Sequence, residues 1–372
     1  MEKAGTGVSE GEWLRVRAYL RDHRYELAAR AAGGYPASAK VAGTPLLAAP
    51  RWLPASPLPL DRIRLEFRPD AGAPAITGTG DDVLPLLPGR PGGRRYRRYS
   101  GAISDLAAPA VFEDRPAYRL LEAGLAGPQA YLAFGRGRYF DGVDVGEAAA
   151  HEYAATCLGA PPAGLRAGVG DPRDLGRRPV SMAISTLTLR HDRSSGRAWF
   201  PLHWRDPAKV GHAGGLYQVV PVGVFQPSGA APWNERNDFS LWRSMVREFA
   251  EELGGHSEDH GSEQAPIDYD AWPFARQMTG ALAAGQIRAY CLGLGIDPLT
   301  FAADLLTVTV IDAGVFDELF GSLGHHNAEG TILSGLPFGG RTIEEFAGRQ
   351  PVQAAAAALL RLAWAHRAAL TG

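Results

Sequence analysis

Hydrophobic spacing divides the chain into segments with the period of a helix and segments with the period of a strand. Over residues 12–32, EWLRVRAYLRDHRYELAARAA, the positions Trp13, Leu14, Val16, Leu20, Tyr25 and Leu27 leave a polar remainder rich in arginine, which predicts a helix. The next stretch, VAGTPLLAAPRWLPASPLPL, is dense in proline and predicts extended or looped chain, because each proline removes a donor and restricts its predecessor. DRIRLEF (61–67) alternates as a strand. LLPGRPGGRRYRRYS is a loop ending in a basic knot, and residues 115–126 and 145–159 read as helices on either side of YLAFGRGRYFDG.

The pattern changes after GDPRDLGRR (170–178), which reads as a boundary loop. SMAISTLTLRHD (181–192) alternates as a strand, with Met182, Ile184, Thr186 and Thr188 on one face. The turn SSG joins it to a second strand, RAWFPLHW (197–204), as a hairpin, and GLYQVVPVGVF (215–225) is a third apolar run. A helix over 240–253, a strand over 305–312 and a closing alanine-rich helix over 351–370 complete the reading. The expected fold is therefore α+β. Residues 1–178 form a separate α+β region that is locally basic, and residues 179–372 form an α/β sandwich.

Composition narrows the class without naming a function. The chain has 372 residues, 45% hydrophobic and 21% charged, as in globular proteins. A net charge of -2 gives no general attraction for nucleic acid or anionic membrane. Cys157 and Cys291 provide neither a disulfide framework nor a cysteine zinc site. No apolar run reaches the length of a membrane span, so the expected location is cytoplasmic.

The densest chemistry lies in REFAEELGG (247–255). On a helical wheel Leu241, Trp242, Met245, Val246, Phe249 and Leu253 fill an arc of roughly 140°. Glu248, Glu251 and Glu252 occupy the adjacent arc at spacings of three and four. Three neighbouring carboxylates repel one another, so they belong either on a wet surface or around a cation. In the first case Arg247 pairs with Glu251 one turn away. In the second, a hard divalent ion such as Mg²⁺ takes their oxygens. Asn237, Asp238 or Ser240 can cap the helix, and Gly254 or Gly255 can close it.

This stretch resembles the second half of the Nudix box, G-x5-E-x7-R-E-U-x-E-E-x-G-U, through Arg247, Glu248, Phe249, Glu251, Glu252 and Gly254. Gly255 stands where a bulky apolar residue is usual, and Phe239 and Trp233 occupy the expected Glu and Gly positions of the first half. PVGVFQ (221–226) is similar to the strand end that precedes the box, which makes Gly223 the box glycine on a loop about ten residues longer, with Glu235 or Asp238 left to meet Arg247. The resemblance implies a Nudix-like fold, an α/β/α sandwich with a mixed sheet, for about residues 180–372. It implies that Glu248, Glu251 and Glu252 hold Mg²⁺ or Mn²⁺, with Arg247 orienting the loop. It further implies catalysis by Glu251, Glu252 and Arg247 of phosphoanhydride cleavage in a nucleoside diphosphate derivative; the alternative is a nucleotide-like ligand bound without turnover.

Other candidates surround this one. HWRDPAKVGHAGG offers His203, Arg205, Lys209 and His212 to a phosphate, or is a plain solvated loop. His325 and His326, with Glu329, read as exposed loop residues that could also reach the metal. His256, Glu258, Asp259, His260 and Glu263 read as an acidic surface loop, and Glu147 with His151 as a helix-surface pair. Residues 11–100 carry 15 Arg or Lys and 8 Asp or Glu, an excess of +7, and GRRYRRYS could grip a phosphate backbone. No nucleic-acid-binding motif accompanies it, so a basic surface facing the acidic half or a partner is the main expectation.

Overall fold

A computed structural model describes residues 8–90, 94–109, 111–205, 214–257, 260–321 and 330–372. Its strands, in chain order, are β1 (Leu58–Pro59), β2 (Arg64–Phe67), β3 (Pro116–Gly124), β4 (Tyr131–Arg138), β5 (Met182–Asp192), β6 (Arg197–Arg205), β7 (Tyr217–Gln218), β8 (Val222–Val224), β9 (Ile287–Ile296), β10 (Ala303–Asp312) and β11 (Gly330–Pro337). They form a mixed sheet of order β1-β9-β10-β5-β6-β11, with β7 on β6 and β8 on β5, and a second sheet of order β2-β4-β3. The fold is mixed α+β.

The central strands β5 and β10 run parallel from Met182↔Ala303 to His191↔Asp312. Both are buried along nearly their whole length on both faces. Their near-continuous apolar and threonine content is what a parallel pair covered on two sides requires. Helix Ala354–Ala365 lies against β5, β9 and β10, while helix Leu241–Glu248 lies against β5 and β8. Small alanines on the former, Ala354 to Ala358, are all buried and permit close approach to the sheet.

Several sequence expectations change. Residues 115–126 are strand β3 and not a helix. Ala, Leu, Glu and Arg favour a helix locally, but antiparallel pairing with β4 and burial of Tyr118, Leu120 and Ala123 prevail. YLAFGRGR is its partner strand, and the helix after it already starts at Tyr139. The first helical stretch breaks at His23 into Glu10–Asp22 and Arg24–Ala32. Ser9 caps it by accepting a hydrogen bond from the Glu12 N–H (3.2 Å), and Trp13, Val16 and Leu20 form its buried stripe.

Residues before and after 178 share one contiguous apolar core. β1 pairs with β9, and the Leu120 N–H donates to the Val180 carbonyl (2.8 Å). Phe67, Tyr118 and Phe134 on the small sheet meet Phe225 and Phe239, with ring centroids 4.7–5.8 Å apart for Tyr118–Phe225 and Phe134–Phe239. Arg178 is fully buried and donates to the carbonyls of Pro172 (2.9 Å) and Phe301 (2.6 Å).

Glu147 and His151 are not a surface pair. Arg17 (2.6 Å) and Arg24 (3.0 Å) grip the Glu147 carboxylate, and His151 is buried against Trp13 with Nδ1 2.9 Å from the Tyr99 hydroxyl. Burial, with Arg17 nearby, pushes the His151 imidazole down to about 3. In the basic knot Tyr96 and Tyr99 are both buried, so neither ring faces solvent. No helix among the described residues is long and apolar enough to cross a membrane.

Candidate functional site

The carboxylate turn is built where a helix changes pitch. Ser240 caps helix Leu241–Glu248 by accepting from the Arg243 N–H (3.3 Å), and Leu241, Met245 and Val246 anchor it in the core. Residues Phe249–Leu253 then continue as a single π-helical turn, closed by the Gly254 N–H donating to the Phe249 carbonyl (3.0 Å). Glu251 and Glu252 lie inside that turn, so their bearing relative to Glu248 differs from an α-helical wheel. Such turns inside helices recur at functional sites.

None of the three carboxylates is splayed into water. Glu248, Glu251 and Glu252 are all half-buried. Gly223 faces Glu248 so closely that a Cβ at this position would lie 1.9 Å from the carboxyl carbon. Only glycine leaves that space. Glu252 Oε1 accepts from the Val222 N–H (2.7 Å), and its Oε2 lies 3.8 Å from Nδ1 of His203. Glu251 Oε1 lies 3.3 Å from Nε2 of His260, whose ring packs on Trp272 at 4.9 Å.

Arg247 turns away from the carboxylates and into the core. It is buried, donating through Nη1 to the Tyr269 hydroxyl (2.6 Å) and through Nη2 to the Gln226 carbonyl (2.7 Å). The Tyr269 hydroxyl donates in turn to Asp238 Oδ1 (2.8 Å), which lies 3.5 Å from Arg247. Burial alone would lower the Arg247 pKa. Tyr269 and Asp238 more than offset it, so the value rises above that of an ordinary guanidinium. Asp238 also accepts from the backbone and hydroxyl of Ser228 (2.8 and 2.6 Å). The long loop between β8 and the helix is thereby tied at both ends to Arg247. Of the two acids open to this role, Asp238 meets Arg247, while Glu235 pairs with Arg136 instead.

A second segment completes the surround. Ser262 receives Trp233 Nε1–H and Asn234 Nδ2–H on its carbonyl (both 3.0 Å), and the Ile267 carbonyl receives Asn237 (3.0 Å). These bonds carry His260 to Glu251 and Tyr269 to Arg247. His260 is therefore part of the site and not of an exposed loop. Tyr269 had no signal in the sequence, because nothing in its local spacing points to a residue 22 positions away.

The phosphate-binding expectation fares differently. His203 is completely buried beside Glu252 and cannot present itself to a ligand directly. Arg205 ends β6 two residues further on, half-buried, with its peptide paired to Gly215 and Leu216. Lys209, His212, His325, His326 and Glu329, and also Glu258 and Asp259, lie outside the described residues.

Three carboxylates are a hard-oxygen donor set suited in chemistry to Mg²⁺ or Mn²⁺. As placed, each faces a different neighbour, and among the described residues no three His, Cys, Asp or Glu side chains form a group able to hold a metal ion. No protein-family model matches the chain, and no curated protein matches its sequence significantly.

Proposed function

We propose that the chain is a divalent-metal-dependent hydrolase that cleaves a phosphoanhydride bond in a nucleoside diphosphate derivative, with residues 179–372 arranged as a Nudix-like α/β/α sandwich on which residues 1–178 pack through a shared core. What carries the reading is the placement of Glu248, Glu251 and Glu252 together on one half-buried turn, opposite a glycine whose missing Cβ leaves space for a carboxylate.

In this reading Glu248, Glu251 and Glu252 hold Mg²⁺ or Mn²⁺. Such an ion would supply charge neutralisation for the phosphates and a lowered pKa for attacking water. The chain's own residues do the rest. Arg247 does not touch substrate; with Tyr269 and Asp238 it fixes the loop that frames the turn. The Val222 N–H orients Glu252, and a turn carboxylate accepts the proton of the water. Arg205, Lys209 and His212 remain proposed phosphate contacts.

Incubation with Mg²⁺ or Mn²⁺ and nucleoside diphosphate sugars, dinucleotides or nucleoside triphosphates tests the proposal. Turnover should vanish in Glu251→Gln and Glu252→Gln; turnover unchanged in both removes this turn from the mechanism. The second reading is ligand binding without turnover. The engagement of Glu252 by the Val222 N–H and of Glu251 by His260 favours it, and nucleotide binding that gives no product and is lost in Glu251→Gln with Glu252→Gln would establish it.

A further inference from the structure

Away from the carboxylate turn, the small sheet and the long loop enclose a cleft of about 530 Å³. Phe67, Tyr118, Arg136 and Arg138 form one wall, and Pro227 and residues 229–232 with Glu235 form the other. Its size falls in the range that encloses a nucleotide-sized molecule.

The strand sequence G-R-G-R explains the wall. Gly135 and Gly137 face the opposite side of β4, where added Cβ atoms would meet Ala71 and the Arg68 carbonyl (3.2 Å each) and Arg119 (3.0 Å). That close packing leaves Arg136 and Arg138 on the cleft side, about 7 Å apart along the strand. They extend the face of Phe134, which meets Phe225 and Phe239 in the core.

Both guanidiniums already hold carboxylates. Arg136 forks onto Glu235 (2.7 and 2.9 Å), and Arg138 holds Asp114 (2.6 Å). Asp141, also in the cleft, accepts from the Arg138 N–H (2.9 Å). The Arg136 side chain is 60% exposed, so its ion pair is held only weakly against solvent. The Glu235 backbone is pinned separately, because the Tyr118 hydroxyl donates to its carbonyl (2.8 Å). Its carboxylate can therefore leave Arg136 without moving the loop. A planar fork presented to a cleft, above an aromatic ring (Arg136 to Phe67, 6.0 Å), matches a phosphate with an attached aromatic group.

We propose that this cleft binds an aromatic phosphate of nucleotide size, whose phosphate replaces the Glu235 carboxylate on Arg136 and extends toward Arg138 while its ring rests on the half-buried Phe67. The site is separate from the carboxylate turn, and the inference does not depend on the hydrolase reading.

The test is calorimetric titration of the full chain with ADP in EDTA, which keeps divalent cations from the carboxylate turn. Saturable one-to-one binding is expected, weakened at least about tenfold in Arg136→Ala and tightened about fivefold in Glu235→Gln, which removes the internal competitor. A gain of affinity cannot come from misfolding, so the Glu235 variant guards against a collapsed Arg136 variant. Inorganic pyrophosphate should bind about tenfold more weakly than ADP. Glu251→Gln with Glu252→Gln should leave the binding unchanged, which separates it from the other site. ADP binding unaltered by Arg136→Ala, no tightening in Glu235→Gln, equal affinity for pyrophosphate, or no saturation up to about 5 mM ADP would each overturn the assignment.

Discussion

Replacing Tyr269 with Phe removes one oxygen and nothing else. The ring keeps its packing near Trp272, so no cavity opens. What disappears is the hydroxyl that accepts from Arg247 and donates to Asp238. A hydrogen bond to a charged group contributes about 1.5–3 kcal/mol, and here two are lost at once. Neither charge is orphaned, however. Arg247 retains the Gln226 carbonyl, Asp238 retains both Ser228 donors, and the 3.5 Å separation of the two charges can shorten. The expected net loss is about 2–3 kcal/mol, or roughly 3 °C in Tm for a chain of this length. Guanidinium chloride unfolding of Tyr269→Phe, Asp238→Asn and the double variant measures it as a thermodynamic cycle. A coupling of at least about 1 kcal/mol is expected. Additive losses, or a Tyr269→Phe loss under about 0.5 kcal/mol, would show that the hydroxyl does not link helix to loop.

Three further outcomes follow from the same geometry. Asp238→Asn leaves a buried guanidinium without its counter-charge and should cost about 3–5 kcal/mol in denaturant unfolding, whereas Glu235→Gln, on an exposed pair, should leave the midpoint unchanged. Gly223→Ala places a Cβ against the flexible end of Glu248, so circular dichroism melts should move little while any metal-dependent turnover is lost; full turnover would separate Glu248 from the chemistry. Asp304 is buried with Ser185 as its hydroxyl donor (2.8 Å), and burial pushes its carboxyl from 3.8 up to about 7. The folded chain then holds a proton that the unfolded chain has released, so stability falls as pH rises from about 4 to 7, by roughly 4 kcal/mol in all. Asp304→Asn should flatten that slope, its advantage over the parent growing from near zero at pH 4 to a plateau above pH 7; a pH-independent difference would contradict the assignment.

Local pattern carried the reading wherever a segment's surroundings agree with its own preference. The strands at β5, β6 and β10 were legible from runs of apolar and β-branched residues, and the helix from Leu241 from an apolar period that matches the face it buries. β3 was not, since helix-favouring residues are overruled by pairing with β4. IRAYCLGLGI gave no strand reading, yet it is β9, held between β1 and β10. Glycines in it serve close approach: a Cβ on Gly295 would lie 2.2 Å from Leu46. In the candidate site, the clustering of Glu248, Glu251 and Glu252 is visible in local order, and Gly223 was singled out through the resemblance alone. His260, Tyr269 and the Val222 N–H were not, because each reaches the turn through a loop whose path depends on other loops.

The long loop before the helix also bears on what this turn needs. A guanidinium as buried as Arg247 must be paired, or the helix end carrying it is destabilised. The position eight residues earlier holds Phe239, which instead joins the aromatic cluster with Phe67, Tyr118 and Phe225. The pairing requirement passes to Asp238, one residue away, with Tyr269 spanning the gap from the far side. A single position thus cannot both seal the junction with the small sheet and hold the charge, and the chain divides the two tasks between neighbours. It follows that the small sheet and the carboxylate turn are coupled through residues 238 and 239, one by charge and the other by packing. Loosening the aromatic cluster should therefore disturb Arg247 without touching any of its hydrogen-bond partners.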